Sequence, residues 1–154
     1  MAPFVLLVGT MTGNAEFAAE EMQQILKAFG HEAELRPMDG LGADAFKPGP
    51  VYLVCTSTYG TGEVPENAKA LYGSLCEQRP NLVGVRYAVF GLGDSGYPDT
   101  FNFGGKRFDD ILSELGAQRL GERAMHDIRS TVQPWDYACE WLRTWYEAQR
   151  GDLA

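Results

Sequence analysis

Residues 9–16, Gly-Thr-Met-Thr-Gly-Asn-Ala-Glu, constrain this chain more than any other stretch. The apolar run Phe4, Val5, Leu6, Leu7 and Val8 leads into them, and a segment with helical spacing leads out from about Asn14, so they read as a strand-to-helix turn. The first N–H groups of a helix have no acceptor within it and lie at the positive end of its dipole, which favours an anion there. Thr10 and Thr12 add hydroxyl donors, and Gly13 lets the backbone approach without a Cβ. The loop has no lysine, so it lacks the G-x-x-x-x-G-K-[ST] spelling that holds a nucleoside triphosphate with magnesium. A phosphomonoester suits it better. Taken alone, the same residues are equally ordinary turn and cap residues.

Beyond this turn the hydrophobic period alternates between that of a helix and that of a strand. Apolar residues at helical spacing predict a helix over 16–29, closed by Gly30, and then a short strand over 32–36. Residues 37–50 read as a loop with one helical turn at 43–46. Residues 51–57 are apolar on consecutive positions, as in a central parallel strand. Pro65 opens a helix reaching Gln78, and 86–92 form the fourth strand. A helix over 103–115, a fifth strand over 118–125 and a helix over 135–149 complete a doubly wound α/β pattern.

The 154 residues, 45% hydrophobic and 22% charged, fit one ordinary globular domain. No basic leader or spanning run is visible, so a cytoplasmic protein is expected. Cys55, Cys76 and Cys139 are widely spaced and odd in number, which points to neither a disulfide framework nor a zinc site. The only histidines, His31 and His126, are expected at the surface or in turns rather than as ligands. Thirteen basic against 21 acidic residues give a formal net charge of −8, which repels nucleic acid and anionic lipid and attracts basic partners.

In a doubly wound sheet, ligands bind beyond the carboxyl ends of the strands, where the strand order reverses. The loops after strands one, three and four share that edge. The last two set Tyr59 and Tyr97 among glycines, and two aromatics on separate loops can sandwich a flat ring by stacking. Phosphate plus a planar heterocycle is the chemistry of FMN.

Thr10-Met11-Thr12-Gly13-Asn14-Ala15-Glu16 resembles the phosphate loop of flavodoxins. Ser57-Thr58-Tyr59-Gly60-Thr61-Gly62 and Gly91-Leu92-Gly93-Asp94-Ser95-Gly96-Tyr97 resemble the family's two ring-binding loops. These two spellings are closer to the FMN domains of diflavin reductases, such as cytochrome P450 reductase and the sulfite reductase flavoprotein, and to small MioC-like flavodoxins. The resemblance covers nearly the whole chain. It implies a single flavodoxin-like domain over 1–154 with five parallel strands in the order 2-1-3-4-5 and helices on both faces.

It also implies FMN, with Thr10, Met11, Thr12, Gly13, Asn14 and Ala15 around the phosphate. Ser57, Thr58, Tyr59, Gly60 and Gly62 would meet the ring from one loop, and Leu92, Gly93, Asp94, Tyr97, Phe101 and Asn102 from the other. Tyr59 and Tyr97 would face opposite sides of the isoalloxazine. The Gly60 carbonyl would accept a hydrogen bond from flavin N5–H after one-electron reduction, and Asp127 would supply a flavin-contacting carboxylate. Between Tyr97 and Gly104 the chain is one residue longer than the diflavin pattern, with Pro98 and Asp99 in the gap, so the pattern alone does not carry over the backbone contacts of Thr100, Phe101 and Asn102.

Other motifs read more plainly. Gly91 to Gly96 satisfies G-x-G-x-x-G but follows the fourth strand, and Tyr97-Pro98 stands where a helix should begin, so it is not a dinucleotide fingerprint. Trp141, Leu142 and Trp145 read as the buried stripe of the last helix rather than a binding face. Asp109 with Asp110, and Glu140 with Glu147, are expected on solvated helix faces.

The function expected is a monomeric one-electron carrier with a low-potential second step. Asp94, Asp99, Glu63 and Glu66 lie near the ring loops, and those loops have no Lys or Arg. With no FAD or NADPH module in the sequence, electrons are expected from a separate NAD(P)H-dependent flavin reductase and are passed on across the acidic rim. The resemblance implies a cytochrome P450 or a radical-type biosynthetic enzyme as acceptor. Two alternatives fit less well. A quinone-reductase type of flavoenzyme lacks a visible nicotinamide site. A phosphoacceptor receiver domain needs carboxylates where Gly9, Thr10, Ser57 and Thr58 stand.

Overall fold

The computed structural model describes residues 1–10 and 12–154. Strands β1 (Phe4–Gly9) and β3 (Val51–Thr56) are buried at every residue, and β4 (Arg86–Gly93) at all but its ends. Strands covered on both faces need this continuous apolar run. β2 (Ala33–Pro37) pairs with β1 on its outer side, with Leu6 opposite Leu35 there and opposite Leu53 on β3. Among the described residues every pairing within the sheet is parallel, in the order β2-β1-β3-β4-β5, with β5 at Gln118–Arg119.

Helices α1 (Asn14–Ala28) and α4 (Pro134–Leu153) cover one face, and α2 (Lys69–Gln78) and α3 (Phe103–Glu114) the other. Successive strand residues feed opposite layers. Leu6, Leu53 and Phe90 pack with Met22, Leu26 and Leu142; Leu7, Val54 and Val89 pack with Leu71, Phe108 and Leu112. The helix expected from Pro65 begins as a 3-10 turn, Glu66–Ala68, and another such turn occupies Ala43–Ala45.

The fifth strand is not continuous. β5 (Gln118–Arg119) and β6 (Ala124–Asp127) pair separately with β4. Gly121 between them has φ 74°, which no strand residue adopts, and a Cβ there would lie 3.0 Å from Trp145 Cδ1. The Trp145 indole N–H donates instead to the Leu120 carbonyl at 2.7 Å. Leu142 and Trp145 are buried as expected of a core stripe, and Trp141 stacks on Trp145 with ring centroids 5.6 Å apart.

Three expected surface positions are buried. His31 bridges the Ala2 carbonyl and the Tyr146 hydroxyl, both at 2.7 Å, and so ties the amino end of the chain to α4. His126 sits under α4 against Tyr137. Asp109 accepts from the Tyr87 hydroxyl and from Arg119 Nη1, each at 2.6 Å. Burial and this carboxylate together push the Tyr87 phenol well above its ordinary pKa. Asp110, Glu140 and Glu147 are exposed. Among the described residues no helix is long and apolar enough to cross a membrane, and no group of three or more His, Cys, Asp or Glu could hold a metal.

Candidate functional site

β1 ends at Gly9, and the chain turns through Thr10, Thr12 and Gly13 into α1. Gly13 is the left-handed N-cap of α1, at φ 89°, and among the described residues no side chain caps the helix. The Thr10 hydroxyl accepts from Gly13 N–H at 2.9 Å, which fixes its oxygen and leaves its own proton to donate outward. Of the backbone donors expected for an anion, Gly13 N–H is therefore engaged, while Asn14 and Ala15 begin the uncapped first turn. Met11 lies outside the described residues.

Asn67, just before α2, holds this loop in place. Its side-chain oxygen accepts from Thr10 N at 3.0 Å, and its amide donates to the Val8 carbonyl and to Asp39 Oδ2, both at 3.2 Å. The uncapped turn is thus fastened to β1 and to the loop after β2 at once.

Thr58 joins the loop after β3 to the loop after β4, the two loops expected to meet the ring. Its hydroxyl donates to the Leu92 carbonyl and accepts from Gly104 N–H, both at 3.0 Å. Beyond it, Tyr59 N–H donates to the Glu63 carbonyl, and Glu63 N–H returns the bond to the Tyr59 carbonyl, each at 2.8 Å. Arg107 of α3 donates to the Gly62 carbonyl at 2.5 Å. These contacts pin the base of the loop, while Gly60 stands at its tip in open space, at φ 54°.

Between the loops runs a cleft of about 420 Å³, bounded by Thr12 and Asn14, by Ser57, Thr58 and Tyr59, and by Leu92, Gly93 and Asp94. A second cleft of about 280 Å³, with Gly60, Tyr97 and Thr100, shares Thr58 and Asp94 with the first. Tyr59 and Tyr97 are 44% and 64% exposed, so each presents ring surface to solvent at these mouths. The three loops picked out from the sequence do meet.

A fourth loop joins them. His126 and Ile128 help to line the larger cleft, and Ile128 N–H donates to the Gly93 carbonyl at 2.9 Å. The Asp127 carboxylate does not line either cleft; its Oδ1 accepts from Ser95 N at 3.1 Å and Arg129 N at 3.0 Å. Arg129 pairs with Asp94 and holds the Asp94 carboxyl below its ordinary pKa. The three loops themselves carry no Lys or Arg, and this guanidinium comes to them from beyond β6.

Phe101 and Asn102 are not brought to either cleft. Asn102 is fully buried at φ 57°, its amide donating to the His126 carbonyl at 3.1 Å, so it fastens α3 beneath β4 and β6. Sequence reasoning missed Asn67, His126, Ile128 and Arg129. The loop after the fifth strand shares the carboxyl edge with the others, so the same topological rule could have included the last three.

An uncapped helix end beside two linked clefts with exposed tyrosines defines an α/β protein that binds a phosphorylated, planar group at the carboxyl edge of its sheet. The chain belongs to the flavodoxin family: the family model described as Flavodoxin matches residues 6–141. It is 39% identical over 145 residues to Flavodoxin YqcA of Pectobacterium carotovorum subsp. carotovorum, covering 94% of this chain and 95% of that one. It is 38% identical over 133 residues to the sulfite reductase (NADPH) flavoprotein alpha-component of Mannheimia succiniciproducens, covering 84% of this chain and 22% of that larger protein. The solved structure of a cysteine-to-alanine mutant of flavodoxin from Pseudomonas aeruginosa superposes with a TM-score of 0.83 at 35% identity, covering 97% of this chain and 99% of that one. FMN is the cofactor of this family, and the donor set fits it: hydroxyl and first-turn N–H donors for a phosphate, aromatic walls for a ring.

Proposed function

We propose that this flavodoxin is a single-domain, monomeric carrier that passes electrons one at a time. The donor would be a separate NAD(P)H-dependent flavin reductase, and the acceptor a cytochrome P450 or another biosynthetic redox enzyme. One observation carries the reading: Tyr59 and Tyr97 stand exposed at the mouths of the clefts that lead back to the uncapped end of α1. A ring held there keeps an edge open to other proteins. Three free cysteines, Cys55, Cys76 and Cys139, suit work in a reducing cytoplasm.

FMN, when bound, supplies reversible uptake of electrons singly or in pairs. The chain's own residues select the single steps. Thr10, Thr12 and the first turn of α1 anchor the phosphate, in the loop to which Met11 also belongs. Tyr59 and Tyr97 cover the ring and keep water from its faces. The Gly60 peptide is free to rotate, because the loop is pinned at Tyr59, Gly62 and Glu63 and nothing crowds Gly60 itself. In one orientation its carbonyl can accept a hydrogen bond from a protonated ring nitrogen. Asn102 and Asp127 support the ring loop from behind, and Phe101 stands beside Asn102 in the chain.

The test is stepwise reduction of the FMN-loaded protein, followed by its visible spectrum. A long-wavelength absorption band that rises to half reduction and then decays is the expected result. Entry of both electrons at one potential, with no such band, would overturn the proposal.

A further inference from the structure

The loop after β6 lies outside the ring-binding set that the sequence implies, yet it brings a cation across that set. Asp94 borders both clefts. The Arg129 guanidinium pairs with it and lies so close over Gly96 that a Cβ there would collide with it. The pairing is built from both sides. Gly96 N–H donates to the same Asp94 oxygen at 2.8 Å, while Arg129 N–H and Ser95 N–H share Asp127 Oδ1 at 3.0 and 3.1 Å. The Ile128 N–H to Gly93 carbonyl bond, at 2.9 Å, closes the strap. The backbone of Arg129 is thus fastened beside the ring loop, and from there its half-exposed guanidinium reaches Asp94.

The last electron added to a flavin brings one negative charge with no proton, and a carboxylate bordering both clefts opposes that step. We infer that Arg129 sets how strongly this site resists the last electron: paired with Asp94, it cancels the carboxylate and makes the fully reduced, anionic FMN easier to hold than the three loops alone allow. The inference rests on FMN occupying these clefts. It goes beyond the carrier reading by naming the residue that tunes the carrier.

The experiment uses the full chain as wild type, Arg129→Gln, Arg129→Lys and Asp94→Asn. Two quantities are read for each: the dissociation constant of oxidised FMN, from fluorescence quenching, and the potential of the last electron, from dithionite titration against a reference dye. Asn at 94 keeps an oxygen for Gly96 N–H, so the loop retains that bond. Arg129→Gln should lower the preference for fully reduced over one-electron-reduced FMN by about threefold, a shift of the last potential to more negative values. Asp94→Asn should shift it the opposite way, Arg129→Lys should stay near wild type, and all differences should shrink at about 1 M salt, where the Debye length is about 3 Å.

A role confined to fastening the loop gives a different pattern. Breaking the same contact from either side would then weaken oxidised FMN in both variants and leave the potentials unmoved or moved in one direction. That result overturns the inference while the carrier reading stands. Wild-type protein that takes up no FMN would overturn both.

Discussion

Asn67 stands outside the loop between β1 and α1, proposed to hold the phosphate, yet its three hydrogen bonds decide where that loop sits. Replacing it with Ala leaves Thr10 N–H and the Val8 carbonyl to find other partners and frees the turn that the phosphate needs fixed. Asn67→Ala should weaken FMN binding about tenfold, or about 1.4 kcal/mol, and leave riboflavin, which has no phosphate, unaffected. Fluorescence titration with both flavins checks this; equal losses for the two would remove Asn67 from the phosphate site. The contrast with Thr10 shows what the sequence could reveal. Thr10, Thr12 and Gly13 act on their own turn, so their chemistry is legible in a few letters. Asn67 acts on residues 57 and 59 positions away, and only the folded sheet brings them together. The same separation hid Arg129, 35 positions from Asp94.

At the scale of elements, the alternation of strand and helix was legible because β1, β3 and β4 are buried on both faces and the helices on one. The two pieces of the fifth strand were not, since Gly121 reads as a tolerable strand glycine until the Trp145 indole stands against it. Asp109 misled for a related reason. It sits beside the stripe of Phe108, Ile111 and Leu112 on α3, and its partners are Tyr87 on β4 and Arg119 on β5. This carboxylate ties a helix to two strands, one of them only two residues long. Asp109→Ala would leave the buried Tyr87 hydroxyl only the residue-109 carbonyl, 3.1 Å away, and would leave part of the Arg119 guanidinium without an acceptor, at a cost of about 1–3 kcal/mol. Urea denaturation measures it, and a loss below about 0.5 kcal/mol would return Asp109 to the solvated role its spacing implied.

Over the whole molecule, a net charge of −8 sets the field that any redox partner meets first. At the rim, Lys69 pairs with Glu63 and Glu66, and Arg129 with Asp94, so the local charge is milder than the sequence of the ring loops implies. The long-range field remains acidic. The reduced protein should therefore be oxidised faster by a cationic ruthenium ammine than by anionic ferricyanide of matched driving force. Rising salt should slow the first reaction and speed the second. Stopped-flow rates that ignore salt for both reagents would show that the exposed edge does not feel this field.

The divided fifth strand has a consequence for crowding. A long, flat edge strand is a template on which a second copy can build, and this sheet offers none among its described residues. One edge is two short pieces separated by a left-handed glycine, with an indole taking the intervening carbonyl. The other is five residues long and ends in a proline, which has no N–H to give. Copies of this chain can thus crowd together without their sheets growing into one another.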